Sequence, residues 1–76
     1  MQIFVPRENE KETRVAITPD TVKKFVKLGL EVQIEKGAGL KSLFRDEDYA
    51  SGGAQIVASE ERVNALSQAD IILHLS

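Results

Sequence analysis

The chain contains no cysteine, so it has no disulfide framework, no thiolate metal site and no cysteine nucleophile. It also lacks tryptophan and carries a single histidine. Structural and catalytic zinc sites need three or four protein ligands, and one histidine without cysteines supplies too few. No apolar run approaches the ~20 residues that a membrane-spanning helix requires. The amino-terminal segment MQIFVPRENEK carries its charge after its short apolar stretch, the reverse of a secretory signal. There is no strong excess of charge of either sign: 10 basic residues stand against 12 acidic ones, for a net charge of -2. That balance excludes a general electrostatic pull towards nucleic acid or anionic lipid. Cytoplasmic residence is the expectation, with no direct insertion into a membrane. P-loop and G-x-S-x-G motifs are absent as well.

A hydrophobic fraction of 42% is ordinary for a globular protein and argues against disorder. The length of 76 residues is the limiting feature. It is about half that of a usual domain, and a chain this short buries a modest fraction of its surface. Further stabilisation is expected from a partner, an oligomer or more chain.

The order of elements reads as βαβαβαβ. Ile3-Phe4-Val5 is a short apolar run stopped by Pro6, the pattern of a parallel strand covered on both faces. Residues 7–13 are polar and read as a loop. Thr18-Pro19 is a strong helix start, because threonine can cap the first amides and proline suits the first helical position. Asp20 complements the helix dipole there. Val22, Phe25 and Val26 follow on one helical face, with Lys23, Lys24 and Lys27 on the others and Gly29 placed to end the helix. The period then changes to two. In Glu31-Val32-Gln33-Ile34-Glu35, the valine and isoleucine share one face and the polar residues a wetter one. Strand, helix and strand with short loops predict parallel pairing and a right-handed crossover. A short helix is expected from Asp46 to the Gly52-Gly53 pair, and a brief strand at Gln55-Ile56-Val57-Ala58. Ser59 is read as the N-cap of a helix carrying Val63 and Leu66 on one face. Ile71-Ile72-Leu73 is a second apolar run of the buried-strand kind, with His74 just beyond it. A chain ending on such a strand reads as part of a larger unit, or as a small unit that docks on something.

Three features invite a functional reading. Gly37-Ala38-Gly39 resembles part of a dinucleotide fingerprint, but Ser42 stands at the third glycine position and the motif follows the second strand. The acidic residues about 20 positions on, Glu60 and Glu61, begin a helix rather than end a strand. A plain turn explains the glycines better. Arg14 lies after the first strand, on the carboxyl side where open α/β sheets place ligands. Its guanidinium could grip a carboxylate bidentately, or it could pair on the surface with Glu8, Glu10 or Glu12. His74 also lies on the carboxyl side, as an acid–base group if a partner orients it, or as a structural or exposed histidine. The three lysines read as the solvated face of a helix, and no aromatics interleave with them as nucleic-acid stacking requires. Phe44 and Tyr49 read as packing residues.

From Pro6 to Gly39 the chain runs PRENEKETRVAITPDTVKKFVKLGLEVQIEKGAG. Phe44, Asp46 and Tyr49 follow, then Gly53-Ala54-Gln55-Ile56-Val57 and Ala69-Asp70-Ile71-Ile72-Leu73. This succession resembles the amino-terminal domain of the alanine dehydrogenase and proton-translocating NAD(P) transhydrogenase alpha-subunit family, over essentially the whole chain. Arg7, Thr21-Val22-Lys23-Lys24 and Lys27-Leu28-Gly29 look more like the transhydrogenase branch. The resemblance implies that residues 1–76 are part of a doubly wound, Rossmann-like or flavodoxin-like first domain of a two-domain NAD-binding subunit. NAD would be bound by a downstream domain, and neither catalytic nor cofactor-binding residues would lie in this segment. In alanine dehydrogenases the residue matching Arg14 binds the carboxylate of the keto acid, and a lysine at the position of His74 assists it. Histidine there is a departure, with a shorter reach than lysine. In the transhydrogenase reading the resemblance implies hydride transfer between NADH and NADP coupled to proton movement. The subunit would be a homodimer peripheral at the cytoplasmic face of the membrane, partnered by a membrane-embedded subunit and an NADP-binding component.

The isolated 76-residue chain is expected to be marginally stable or to associate through its last strand. Sedimentation and thermal melting test this, and a cooperatively melting monomer would contradict it.

Overall fold

The computed structural model describes residues 1–8 and 15–74. Four strands, β1 (Gln2–Val5), β2 (Glu31–Glu35), β3 (Gln55–Val57) and β4 (Ile71–Ile72), form one parallel sheet in the order β3-β2-β1-β4. The helices are α1 (Pro19–Lys27), α2 (Asp46–Ser51) and α3 (Arg62–Gln68). The chain steps outward from β1 through α1 to β2, and through α2 to β3. It then returns through α3 to the far side of β1. Helices therefore cover both faces of the sheet, as a doubly wound fold requires.

Helix α1 starts where the residues require it. Thr18 Oγ1 accepts from the Thr21 amide at 3.3 Å, and Pro19 occupies the first turn. The helix ends at Gly29, whose φ of +86° is costly for any residue with a Cβ. Val22 is fully buried and Phe25 and Val26 pack beside it, while all three lysines are exposed.

Two layers sandwich the sheet. On one side Ile3, Val5, Val32, Ile34 and Tyr49 meet α1 and α2; on the other, Phe4, Val57 and Ala65 meet α3. Strand β1 is thus covered on both faces, as its unbroken apolar run predicts. Tyr49 anchors the first layer. It is fully buried, stacks edge-on to Phe44 with ring centroids 6.1 Å apart, and donates its hydroxyl to the Ile17 carbonyl at 2.9 Å.

Four expectations need correction. Glu35 belongs to the polar face of β2, yet it is only 3% exposed because Arg7, Ser59 and Arg62 close over it. Ser59 does not cap a helix: residues 59–61 form a 3₁₀ turn ahead of α3, and the Ser59 hydroxyl donates to Glu35 Oε2 at 3.1 Å. Val63 is 76% exposed, and α3 turns Ala65 and Leu66 to the sheet instead. Ile71 and Ile72 are exposed because β4 lies at the sheet edge.

The Tyr49 layer can be tested from both sides of the ring. A Cβ added at Gly39 would lie 2.5 Å from Tyr49 Cε2 and 2.6 Å from its hydroxyl oxygen. A buried ring hydrogen-bonded at its tip cannot swing away, so Gly39→Ala should lower stability in urea by about 1–3 kcal/mol. Desolvation, with smaller effects from Asp48 and Asp46, pushes the Tyr49 phenol up to about 12 from its ordinary 10.0. The folded state therefore favours the neutral phenol. Its contribution is complete below pH 10.0 and is lost as pH rises through about 12. Alkaline unfolding curves should be shallower over that window in Tyr49→Phe, and identical curves would contradict the shift.

Candidate functional site

The strand order reverses between β1 and β4, because the crossovers run away from β1 in opposite directions. Open α/β sheets bind ligands in the crevice at such a point, outside the carboxyl ends of the strands. An open cleft of about 400 Å³ occupies that position. Pro6, Leu66 and Ile72 form its apolar wall, and Arg7, Glu8, Arg62 and His74 its polar groups. Its size lies within the usual range for small-molecule sites.

Pairing to β1 places each wall. Ile71 and Ile72 align with Ile3 and Phe4, and the Leu73 amide donates to the Phe4 carbonyl at 3.0 Å. Asp70 fixes the register, since its carboxylate accepts the Gln2 amide at 2.7 Å while its own amide donates to the Gln2 carbonyl at 2.8 Å. His74 thereby arrives beside the chain leaving β1. Pro6 is buried and has no amide for a further ladder bond, so β1 stops and Arg7 turns out at the cleft.

The third wall depends on Glu35, at the carboxyl end of β2. Its Oε1 accepts the Arg7 amide at 2.9 Å and lies 3.3 Å from Arg62 Nε, and its Oε2 accepts the Ser59 hydroxyl. Arg62 also donates through Nη2 to the Arg7 carbonyl at 3.4 Å. One carboxylate thus joins the ends of β1 and β2, the turn after β3 and the start of α3. A buried charge is tolerable only when paired and hydrogen-bonded, and Glu35 has both. Chemically, two guanidiniums and an imidazole around one half-buried carboxylate, Glu8, make a cleft suited to a small anion.

The residues do not fit a dinucleotide. Where a Rossmann site needs glycines after β1, this chain has Pro6-Arg7-Glu8. Glu35 stands where an acidic residue would hold the ribose, but its oxygens serve Arg7, Ser59 and Arg62. At the start of α1, Pro19 has no amide proton, and Thr18 accepts those of Thr21 and Val22. Gly37-Ala38-Gly39 is a packed turn, with the Gly37 amide donated to Asp46 Oδ1 at 2.8 Å and Gly39 against Tyr49.

Of the residues singled out in the sequence, His74 lies in the cleft and Arg14 lies outside the described residues. Sequence reasoning missed Glu35 and Arg62 and treated Arg7 only as a mark of kinship. The available signal was an acidic residue ending a strand just before a glycine turn.

A family profile described as "Alanine dehydrogenase/PNT, N-terminal domain" matches residues 4–76. The chain belongs to this family. An alanine dehydrogenase of Methanococcus maripaludis is 52% identical over 64 residues, covering 83% of this chain and 17% of that protein. An NAD(P) transhydrogenase alpha subunit of Rhodospirillum rubrum is 44% identical over 73 residues, covering 95% of this chain and 18% of that protein. Among solved structures, an L-alanine dehydrogenase superposes with a TM-score of 0.85 at 38% identity, over 96% of this chain and 20% of that one. A transhydrogenase from Sinorhizobium meliloti gives 0.81 at 34%, over 95% of this chain and 21% of that one. The chain therefore spans about a fifth of the length of these relatives. The transhydrogenase leaning drawn from Arg7 gains no further support, since both branches match comparably. Among the described residues no helix is long and apolar enough to cross a membrane.

Proposed function

We propose that this chain forms the opening of the substrate-side domain of an alanine dehydrogenase-type oxidoreductase, with its cleft receiving the carboxylate of a keto acid. The cleft at the switch point carries the reading. It is small, faces the carboxyl ends of β1 and β4, and presents Arg7, Arg62 and His74. The 52% identity to an alanine dehydrogenase supports the assignment. Arg14, seven residues beyond Arg7, supplies the bidentate contact to the carboxylate, and His74 donates a hydrogen bond from the facing strand. The reaction is NAD-dependent reductive amination of pyruvate: ammonia replaces the carbonyl oxygen, which leaves as water, and NADH delivers the hydride. NAD and the acid–base groups belong to the downstream part of the full-length protein, and no step of hydride transfer is assigned to residues 1–76.

A second reading rests on a separate observation. The Rhodospirillum rubrum transhydrogenase subunit matches 95% of the chain against 83% for the Methanococcus maripaludis enzyme. Histidine in place of the expected lysine at position 74 also weakens a keto-acid site. In that reading the full-length protein is the dimeric NAD-binding alpha subunit of a transhydrogenase. It sits at the cytoplasmic face of the membrane beside a membrane-embedded subunit and an NADP-binding component.

The full-length protein separates the two. Consumption of NADH with pyruvate and ammonia is expected, and hydride transfer from NADH to an NADP analogue without amination would establish the second reading. Arg14→Ala should raise the pyruvate KM by about tenfold or more, as loss of a charged hydrogen bond requires. A change below about threefold would refute the carboxylate role.

A further inference from the structure

We infer that Glu35 is a positioning residue for the cleft: it fixes the backbone of Arg7 and holds Arg62 on the cleft wall, and so controls the affinity for an anionic substrate. The inference deepens the keto-acid reading and rests on it. Glu35 itself does not line the cleft. It acts from behind, with 3% exposure, through three partners that reach the cleft rim or support it.

The three contacts divide the task. The bond from the Arg7 amide to Glu35 Oε1, at 2.9 Å, fixes the backbone at the point where the chain leaves β1. The ion pair with Arg62, at 3.3 Å, sets a guanidinium whose side chain remains 47% exposed at the cleft. Arg62 then reaches back to the Arg7 carbonyl, so both backbone polar groups of residue Arg7 are held. Ser59 holds the other carboxylate oxygen at 3.1 Å and stops the carboxylate from turning away. The chain is held again at Ile17, whose carbonyl accepts the buried Tyr49 hydroxyl. Arg7 and Ile17 are thus each held by a buried polar group, one on β2 and one on α2. A guanidinium held as Arg62 is has less freedom to lose when it meets a carboxylate.

A structural role alone would predict that removing Glu35 lowers the amount of folded enzyme and leaves the surviving enzyme's substrate affinity unchanged. Positioning predicts a selective loss. In the full-length protein Glu35→Ala should raise the pyruvate KM by about tenfold, with the NADH KM within about twofold of the parent. Glu35→Gln, which keeps an acceptor but loses the charge facing Arg62, should fall between parent and alanine variant. It also serves if the alanine variant fails to fold. An unchanged pyruvate KM in folded Glu35→Gln and Glu35→Ala would overturn the inference. The tether is read separately, by hydrogen exchange of the Arg7 amide. Faster exchange in Glu35→Gln supports it even if the parent protein does not aminate pyruvate, a result that would defeat the proposed function alone. Exchange unchanged from the parent would sink the tether.

Discussion

The structure depends on β1 having no free side. Its faces are closed by Ile3 and Val5 on one layer and Phe4 on the other, and its edges by β2 and β4. Four residues therefore fix the position of everything that follows them. The chain leaves β1 at a set point, and both the segment beginning at Arg7 and the arrival of His74 are referred to it. Asp70 contributes most to the second edge. It exchanges two hydrogen bonds with Gln2 and so sets which residue of β4 reaches the cleft. A one-residue slip would move His74 along the crevice and exchange the faces of Ile71 and Ile72.

Glu35 supplies the connection that the ladder does not. Parallel strands hold one another through evenly spaced bonds, but the loops at their carboxyl ends have no such partner. Here a single carboxylate meets an amide from the connection after β1, and a hydroxyl and a guanidinium from the crossover after β3. Its low exposure makes the arrangement all-or-nothing, because removing a partner leaves charge uncompensated in a poor solvent. The same burial explains why the arrangement is local to the cleft end of the sheet. At the opposite end, Glu31 is exposed and its side chain faces water.

Local chemistry was legible in the sequence, and long-range chemistry was not. Thr18-Pro19, Gly29 and the alternation in residues 31–34 carry their meaning within a few positions, and each appears in the fold as read. Glu35 shows the boundary. Alternation correctly places it on the polar face of β2, but its donors stand 28 and 24 residues away, at Arg7 and Ser59. No local period records them. The misplaced cap at Ser59 has the same cause: a hydroxyl expected at a helix start is drawn to a distant carboxylate. Strand β4 failed for another reason. An apolar run states that a strand avoids water, not how many neighbours it has, and Ile71 and Ile72 lie on an edge. His74 was legible as a cleft residue because the carboxyl-end rule needs only strand direction. Arg14 rests on family resemblance and the same rule.

Strand order places a ligand, and the residues at the strand ends decide which ligand it can be. The order β3-β2-β1-β4 is shared with dinucleotide-binding domains, and so is an acidic residue at the end of β2. Those domains lay pyrophosphate on the free amides of the helix following β1. In this chain 13 residues separate β1 from α1, and Thr18 and Pro19 leave that helix start with few amides to offer. The acidic residue is likewise committed to Arg7, Ser59 and Arg62. With the phosphate site closed and the ribose partner occupied, the crevice keeps its place in the topology but changes its chemistry. What remains there is small and sets two guanidiniums beside one carboxylate, Glu8, an arrangement that does not fit a dinucleotide.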